Sequence, residues 1–299
     1  MHKFIHIVLL PLVLAVVFPA AVKAVDDTTI NSVNKWAWSV GASWINCRPD
    51  NTNGAVIGQF TCSGFFYSTT AGWINLGDGS PSNGIYYSNA DSEDYGVNHD
   101  GQGHLTGYAW CESSGWINFE WTNKEHANAP KVDMDTGNLS GHAWGDALGW
   151  ICLTNLSAYV QTDMIKAGAD SNTNNIPDDW ELNAVGNLTL LAGGGGTNDT
   201  DGDGVSDYSE YVAGTSPTNA SDYLQLTGMT VTNGTNVHLV WTSEETRFYD
   251  IDKRTNLISG SWTNYQRVSV TGSSSTITIP VGSDPRVFYK IKAVLPLSD

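Results

Sequence analysis

The segment Asp199–Glu210, DTDGDGVSDYSE, carries oxygen-bearing side chains at the intervals that a calcium ion requires. Calcium takes about six to eight oxygen ligands, and a loop of about twelve residues supplies them from its first, third, fifth, seventh, ninth and twelfth positions. Gly204 stands at the sixth position, where the chain must turn sharply. The predicted ligands are Asp199, Asp201, Asp203, the carbonyl oxygen of Val205, Asp207 directly or through water, and both carboxylate oxygens of Glu210.

An earlier segment, Asp170–Glu181 with the sequence DSNTNNIPDDWE, follows the same spacing. Asn175 takes the sixth position, and asparagine tolerates the left-handed backbone conformation better than most residues. Fewer acids line this loop, so weaker calcium binding is expected. A solvated acidic linker is the competing interpretation of both segments, and it is stronger here because asparagine-rich loops commonly form turns. The predicted ligands are Asp170, Asn172, Asn174, the carbonyl oxygen of Ile176, Asp178 and Glu181.

Both loops lie in the stretch Gly168–Asp222, which contains ten acidic residues and no lysine or arginine. Helix-end residues predict two short helices there, one starting after Pro177 and stopping at Gly186, the other stopping at Gly214. Neither loop has a helix entering it, so this is not an ordinary pair of EF-hands. The acids repel one another, so calcium is expected to order the stretch and to fix the flanking β domains relative to each other.

The phrases IPDDWELNAVGN and DTDGDGVSDYSEYVAGTSPTN resemble the bacterial thrombospondin type 3 repeats and, more loosely, the loops of dockerins. The resemblance implies an aspartate-rich calcium-binding module that links or presents domains of a secreted bacterial protein. One position departs from the family pattern, because Ser216 stands where an aspartate is usual. The resemblance therefore does not extend to an ion that relies on that carboxylate.

The N-terminal residues predict export. Lys3 is followed by the apolar run Phe4–Phe18 and by small residues up to Ala24, which is the pattern of a cleaved signal peptide over residues 1–24. Pro11 breaks the run, which fits a signal peptide better than a membrane span. The formal charge of −17 argues against nucleic acid and anionic membranes as partners. A secreted or cell-surface protein without membrane insertion is expected.

An even number of cysteines in an exported protein predicts two disulfides, with three possible connectivities. The spacing favours Cys47–Cys62 together with Cys111–Cys152. No C-x-x-C pair occurs in the sequence, so a redox or zinc function is disfavoured.

Residues 25–166 contain four related units, each with an aromatic residue followed six positions later by Trp-Ile. They are AWSVGASWIN (Ala37–Asn46), FYSTTAGWIN (Phe66–Asn75), AWCESSGWIN (Ala109–Asn118) and AWGDALGWIC (Ala143–Cys152). Gly64, Gly107 and Gly141 each stand three residues before the first aromatic residue of their unit. β-prone runs alternate with turn residues, so each unit predicts a strand-turn-strand element. The repetition predicts an all-β repeat domain, as a barrel, a small propeller or a sandwich-like stack.

The paired aromatic residues of these units have two interpretations. The pairs are Trp38/Trp44, Tyr67/Trp73, Trp110/Trp116 and Trp144/Trp150. Exposed rings could stack on sugar rings and form a glycan-binding surface. Alternatively, the Trp-Ile of each unit fills the core, because a repeat must bury something common to every copy. The core interpretation is favoured because large aromatic residues are mostly buried, which leaves the first aromatic of each pair and Trp121 as surface candidates.

Residues 223–299 return to β-rich segments separated by turns, which predicts a small β-sandwich. They weakly resemble the fibronectin type III-like modules that often follow thrombospondin type 3 repeats. The chain is therefore predicted to be mainly β. A signal peptide (1–24) precedes a Trp-repeat domain (25–166), a calcium-binding segment with two small helices (167–222) and a β-sandwich (223–299).

Catalysis is not expected. No G-x-S-x-G nucleophile elbow occurs, and His99, His104, His126 and His142 lack the spacing of a zinc site. Acid pairs such as Asp133/Asp135 fit turns better than a glycosidase dyad. The predicted function is that of a secreted or cell-surface calcium-binding modular protein with a structural or adhesive role. One alternative is a carbohydrate-binding accessory protein whose exposed aromatics bind a glycan or cell-surface component; another is a polysaccharide-active hydrolase.

Overall fold

The computed structural model describes residues 28–193, 196–232, 234–270, 272–282 and 286–298. The predicted signal peptide, residues 1–24, lies outside the described residues. The chain divides into two compact units. Of the described residues, the barrel unit contains 28–171, 177–186 and 296–298, and the sandwich unit contains those within 172–176 and 187–295. The predicted mainly β fold is confirmed, since strands far outnumber the two short helices in the described part of the chain.

The barrel unit holds fourteen strands and one helix among the described residues. The strands are β1 (Ile30–Ser39), β2 (Ser43–Asn46), β3 (Val56–Ile57), β4 (Cys62–Ser63), β5 (Phe65–Ser68), β6 (Gly72–Asn75), β7 (Val97–His99), β8 (Leu105–Cys111), β9 (Gly115–Asn118), β10 (Lys131–Val132), β11 (Asn138–Ser140), β12 (His142–Gly145), β13 (Gly149–Cys152) and β14 (Val160–Thr162). The helix is α1 (Asp178–Val185).

Eight of these strands close into a barrel in the order β1-β13-β12-β9-β8-β6-β5-β2, with β2 paired back to β1. Each of the four sequence units forms one antiparallel hairpin of this barrel. Strand β14 adds to the outer edge of β1 and leads to β11 and β10, while β7 pairs with β8. Of the three predicted arrangements, the barrel is confirmed.

The isoleucine that follows the second aromatic residue of each of the four units is buried in the barrel. In the third hairpin, Ile117 is 1% exposed and lies opposite the buried Ala109. Trp116 is 42% exposed and points outward, because successive side chains on a strand face opposite sides of the sheet. An eight-stranded barrel has room only for side chains of moderate size. The expectation that the Trp-Ile tryptophans fill the core is therefore wrong, whereas the inward position of the isoleucines is confirmed.

The repeated glycines are explained by the approach of a second segment of backbone. Gly64, Gly107 and Gly141 all have positive φ angles, of 76°, 88° and 83°. A side chain at any of them would collide with a carbonyl oxygen of a neighbouring loop. The carbonyl oxygens of the same three glycines accept backbone hydrogen bonds from Leu76, Phe119 and Leu153, and that of Lys35 accepts the equivalent bond from Cys47. The same backbone hydrogen bond therefore joins the two chain ends of every hairpin, on the side opposite its turn.

The predicted disulfides are wrong, because all four cysteines are free thiols. Cys111 lies on β8 and Cys152 on β13, with β9 and β12 between them. At a strand spacing of about 4.8 Å the two lie roughly 14 Å apart around the barrel, about twice the largest Cα separation that a disulfide spans. Cys47 and Cys62 are buried, and burial raises the pKa of Cys62 to about 12.

The sandwich unit contains one helix and two three-stranded antiparallel sheets. These elements are α2 (Asp207–Ala213), β15 (Leu226–Thr232), β16 (Asn236–Thr242), β17 (Phe248–Arg254), β18 (Thr263–Ser269), β19 (Ser274–Pro280) and β20 (Phe288–Val294). One sheet has the order β15-β16-β19 and the other β18-β17-β20. Inward side chains of both sheets form one core around Trp241 and Tyr249. The predicted C-terminal sandwich is confirmed, and the predicted helix stops at Gly186 and Gly214 are both left-handed caps.

Candidate functional site

The structure brings three of the predicted ligands of the Asp199–Glu210 loop together. One carboxylate oxygen from each of Asp199, Asp201 and Asp203 lies within 4.8 Å of the others. Within the described ranges, no other group of three or more acidic, histidine or cysteine side chains is close enough to hold a metal ion. The alternation of acids along the loop therefore does converge on one point, as a shared ion would require.

The carboxylate of Glu210, on α2, is near enough to these aspartates for their charges to act on it, although it is not one of the three that converge. Its side chain is 0% exposed, and neither of its carboxylate oxygens has a hydrogen-bond partner. The Oδ2 atoms of Asp201 and Asp203 are also buried without a partner. Buried carboxylate oxygens without partners are costly and rare in folded proteins. A cation bound by oxygen ligands at Asp199, Asp201 and Asp203 would offset this cost, so these side chains fit a metal ion.

The charges of the loop act on one another strongly. Burial, followed by the nearby charges of Asp201, Asp203, Asp207 and Asp199, raises the pKa of Glu210 to about 8. Burial and the neighbouring carboxylates also raise the pKa of Asp201. Both shifts mean that the ionised carboxylates are destabilised as long as no cation is close.

The loop backbone is shaped by its own aspartates. Asp199 Oδ1 accepts a hydrogen bond from the N–H of Gly202 at 2.7 Å, and its Oδ2 accepts one from Gly204 at 2.9 Å. Gly204 has a φ of 94°, which fulfils the predicted sharp turn at the sixth position. Asp203 Oδ1 accepts from the N–H of Val205 at 2.7 Å. These bonds hold the chain in the curved form that a loop around an ion needs.

Asp207, predicted as a ligand directly or through water, has a different set of contacts. Its Oδ1 accepts from the N–H of Thr200 at 2.9 Å, and its Oδ2 accepts from Thr200 Oγ1 at 2.9 Å and Asn198 Nδ2 at 3.0 Å. Both oxygens are thus engaged with the start of the loop. Sequence reasoning missed Thr200 and Asn198, although a hydroxyl or amide side chain next to the first ligand is a signal for such a contact.

The residues of the earlier predicted loop are divided between the two units. In the barrel unit, Asp178 Oδ1 accepts from the N–H of Ser171 at 2.9 Å and from Ser171 Oγ at 3.0 Å, which repeats the contact of Asp207 with Thr200. Asp170 also lies in this unit, and Glu181 is fully buried there. In both segments the aspartate at the ninth position thus accepts hydrogen bonds from the residue at the second position.

The remaining predicted ligands of that loop lie in the sandwich unit. Asn174 Oδ1 accepts from the N–H of Ile176 at 2.8 Å, just as Asp203 does from Val205. Asn172 Oδ1 accepts from the N–H of Asn174 at 3.1 Å. Asn175 has a φ of 69°, so asparagine does adopt the left-handed conformation expected at the sixth position. Calcium binding by this segment stays a prediction.

In calcium-free protein, the stability of the sandwich unit is expected to fall as the pH rises from about 4.5 to about 8. The folded-state pKa of Glu210 is raised above its ordinary value of 4.5 to about 8. A raised pKa contributes stability that is complete below the unfolded pKa and is lost as the pH rises through the folded pKa. Thermal unfolding of chelator-treated protein across this range measures the effect. Glu210→Gln is the control, and an equally steep pH dependence in that variant would contradict the assignment.

A second candidate surface is the aromatic belt, which consists of Trp38, Trp44, Tyr67, Trp73, Trp110, Trp116, Trp144 and Trp150. Its seven tryptophans are between 36% and 50% exposed, and each of its four pairs lies directly across a hairpin. The ring centroids of Trp110 and Trp116 are 4.7 Å apart in an edge-to-face arrangement, and those of Trp144 and Trp150 are 4.9 Å apart. Strand alternation in the Trp-Ile-Asn phrase was the sequence signal for the outward tryptophans.

The histidines of the barrel unit do not gather into a metal site within the described residues. His104 lies between two carboxylates, with Nδ1 at 2.7 Å from Asp100 Oδ2 and Nε2 at 3.2 Å from Glu125 Oε1. The turn interpretation of Asp133 is confirmed, since its Oδ1 accepts from the N–H groups of Asp135 and Thr136.

No protein-family model, curated protein or solved structure matches this chain. Among the described residues, no helix has both the length and the apolar composition needed to cross a bilayer.

Proposed function

We propose that this chain is a secreted or cell-surface calcium-binding modular protein with a structural or adhesive role. The observation that carries the proposal is the buried carboxylate of Glu210, which lies beside the aspartates of its loop with both oxygens unpartnered. Such an arrangement is unfavourable by itself and becomes favourable with a hard cation among the oxygens. The resemblance of the same residues to thrombospondin type 3 repeats supports the same function.

Calcium would be held by Asp199, Asp201, Asp203, Glu210 and the carbonyl oxygen of Val205. The ion supplies positive charge that offsets the repulsion among the carboxylates. The chain itself supplies a preformed loop, since the backbone N–H groups of Gly202 and Gly204 already orient Asp199. The role of the ion is therefore to stabilise structure.

Isothermal titration of the chelator-treated, full-length protein with calcium tests the proposal. Heat of binding at one or more sites is expected, and magnesium is expected to compete poorly because it demands a smaller, near-octahedral set of ligands. Asp201→Ala should weaken the tightest site. The proposal is overturned if calcium gives no binding heat, or if Asp201→Ala binds calcium as tightly as the unaltered protein.

The exposure of the aromatic belt favours glycan binding as a second candidate function. Indole rings that remain exposed on a folded protein form an apolar surface of the kind found at interaction sites. Between residues 28 and 165, acidic residues outnumber basic ones by 13 to 4, so an uncharged glycan is a better partner than an anionic one. The proposed ligand is therefore a neutral polysaccharide that stacks on the belt.

Binding to a panel of neutral and acidic polysaccharides, measured by affinity electrophoresis, tests this candidate. Trp110→Ala and Trp144→Ala should each reduce the retardation of the protein by a neutral polysaccharide. Leu156→Ala is the control, because it removes an exposed apolar side chain of the same unit that lies outside the belt. Unchanged retardation in both tryptophan variants, or none for the unaltered protein, would rule out the belt as a glycan site.

A further inference from the structure

The helix that carries Glu210 is held at its C-terminal end by a side chain of the sandwich. Arg247 lies immediately before β17 and is 5% exposed. Its Nε donates to the carbonyl oxygen of Val212 at 2.8 Å, and its Nη2 donates to that of Tyr211 at 2.7 Å. These are the two residues that directly follow Glu210, so the guanidinium holds the main chain next to a proposed ligand.

The main chain of Glu210 itself is also fixed. Its carbonyl oxygen accepts hydrogen bonds from the N–H groups of Gly214, at 2.6 Å, and Thr215, at 3.0 Å. Gly214 is the left-handed cap of α2, with a φ of 80°. The carboxylate of the same residue has no hydrogen-bond partner. Glu210 is therefore a residue whose backbone is fully bonded while its side chain is left for another ligand.

Arg247 acts on α2 through geometry and not through attraction to the acids of the loop. The remaining hydrogen bonds of the guanidinium go from Nη1 to the carbonyl oxygen and the hydroxyl of Thr246, so the guanidinium donates to neutral acceptors. A planar guanidinium can hold two adjacent carbonyl oxygens at once, which an ammonium group on a flexible stem does not. Without the guanidinium, two carbonyl oxygens in the last turn of this seven-residue helix would lose their hydrogen-bond donor.

We propose that Arg247 is the positioning residue of the calcium site: it sets the location of Glu210 from the sandwich and thereby couples calcium binding to the stability of the sandwich strands. The inference rests on the calcium-binding function proposed above. Coupling of this kind is reciprocal. Calcium must stabilise the sandwich by the same factor by which the intact sandwich strengthens calcium binding.

Arg247→Met and Arg247→Lys test the proposal in the full-length protein. Arg247→Met should weaken calcium binding about tenfold, as measured by calorimetric titration, although Arg247 is not a ligand. The calcium affinity of Arg247→Lys should lie between those of Arg247→Met and the unaltered protein, because lysine keeps the positive charge but cannot hold two carbonyl oxygens at once. In the unaltered protein, calcium should slow amide hydrogen exchange in β17 and β20, and Arg247→Met should lose most of that protection.

The matched control is Arg267→Met. Arg267 lies on β18 and donates from Nε and Nη2 to the two carboxylate oxygens of Asp250, within the sandwich. Its loss removes a half-exposed arginine of the same unit whose side-chain hydrogen bonds go to a carboxylate on β17, so it should leave the calcium dissociation constant within about twofold. An equal weakening in Arg267→Met would show general destabilisation and would overturn the role of Arg247.

The remaining outcomes separate this inference from the function on which it rests. If the unaltered protein binds no calcium, both fail. If it binds calcium and Arg247→Met binds equally tightly, the inference fails and the calcium site stands. If Arg247→Met does not fold, the exchange experiment on the unaltered protein decides alone, because unchanged exchange in β17 and β20 on calcium addition would overturn the coupling.

Discussion

Replacement of Glu210 by glutamine is expected to weaken calcium binding at the Asp199–Glu210 loop by about a hundredfold or more. The change removes a full negative charge and one of two equivalent oxygens from the residue that closes the loop, and ligand charge is a main determinant of calcium affinity. The same change should stabilise the calcium-free protein, because it removes a buried carboxylate that lies among four aspartates. The variant is therefore predicted to shift stability in opposite directions with and without the ion.

Calorimetric titration and thermal unfolding, each with and without calcium, measure the two effects. Glu245→Gln is the control, since it removes an exposed glutamate from the same unit and should alter neither quantity. If Glu210→Gln still binds calcium tightly, the calcium site is not in this loop. Destabilisation of the calcium-free variant would show that Glu210 has a structural partner other than an ion.

The second large effect is expected at two adjacent residues of the barrel. Ile117→Ala should lower the free energy of unfolding of the barrel unit by about 2–5 kcal/mol, because it leaves a cavity in a closed interior. Trp116→Ala removes a much larger side chain, yet it should cost only about 1–2 kcal/mol, because the ring is 42% exposed and loses edge-to-face contacts with Tyr95, Tyr108 and Trp110. The smaller residue is therefore predicted to matter more.

Denaturant unfolding followed by tryptophan fluorescence measures this difference. Nine of the twelve tryptophans lie between Trp36 and Trp150, so the signal reports mainly on the barrel unit. Ala109 lies directly opposite Ile117, and Ala109→Gly serves as a control for a small change at the same layer. Equal losses in Trp116→Ala and Ile117→Ala, or a larger loss in Trp116→Ala, would contradict the inward position of the isoleucine.

The sequence repeat predicts the four hairpins but not which face of each hairpin points into the barrel. The spacing of aromatic residues and turn glycines predicts four strand-turn-strand units, and each of them forms one hairpin of the barrel. Average burial of tryptophan then suggested the wrong face for Trp116. The local rule was the better guide, because adjacent residues on a strand cannot both face the core and an alanine lies across from Ile117. Closure of the sheet depends on pairing between distant hairpins, which no local pattern contains.

The ligand residues of the Asp199–Glu210 loop were easier to predict from the sequence than the residues that pack around the loop. Oxygen ligands for a hard cation must come at fixed intervals, so Asp199, Asp201 and Asp203 could be assigned from spacing and do converge. Arg247 could not be found in this way, because its contacts with α2 depend on how the strands fold back over the helix. The disulfide prediction failed for a related reason, since an even number of cysteines does not tell which strands lie between the thiols.

The pairing of β1 has a consequence for how the chain folds during synthesis. Of the described strands this one is synthesised first, yet it pairs with β13 and β14, so that Ile30 lies opposite Thr162. Each hairpin can form as soon as its own residues emerge, because its contacts are local. The barrel cannot close until the last hairpin has been made, and until then β1 presents an unpaired edge and the buried face of Ala37. Such open intermediates are prone to aggregate. The nascent chain should therefore depend on rapid completion, or on a chaperone, far more than the finished barrel does.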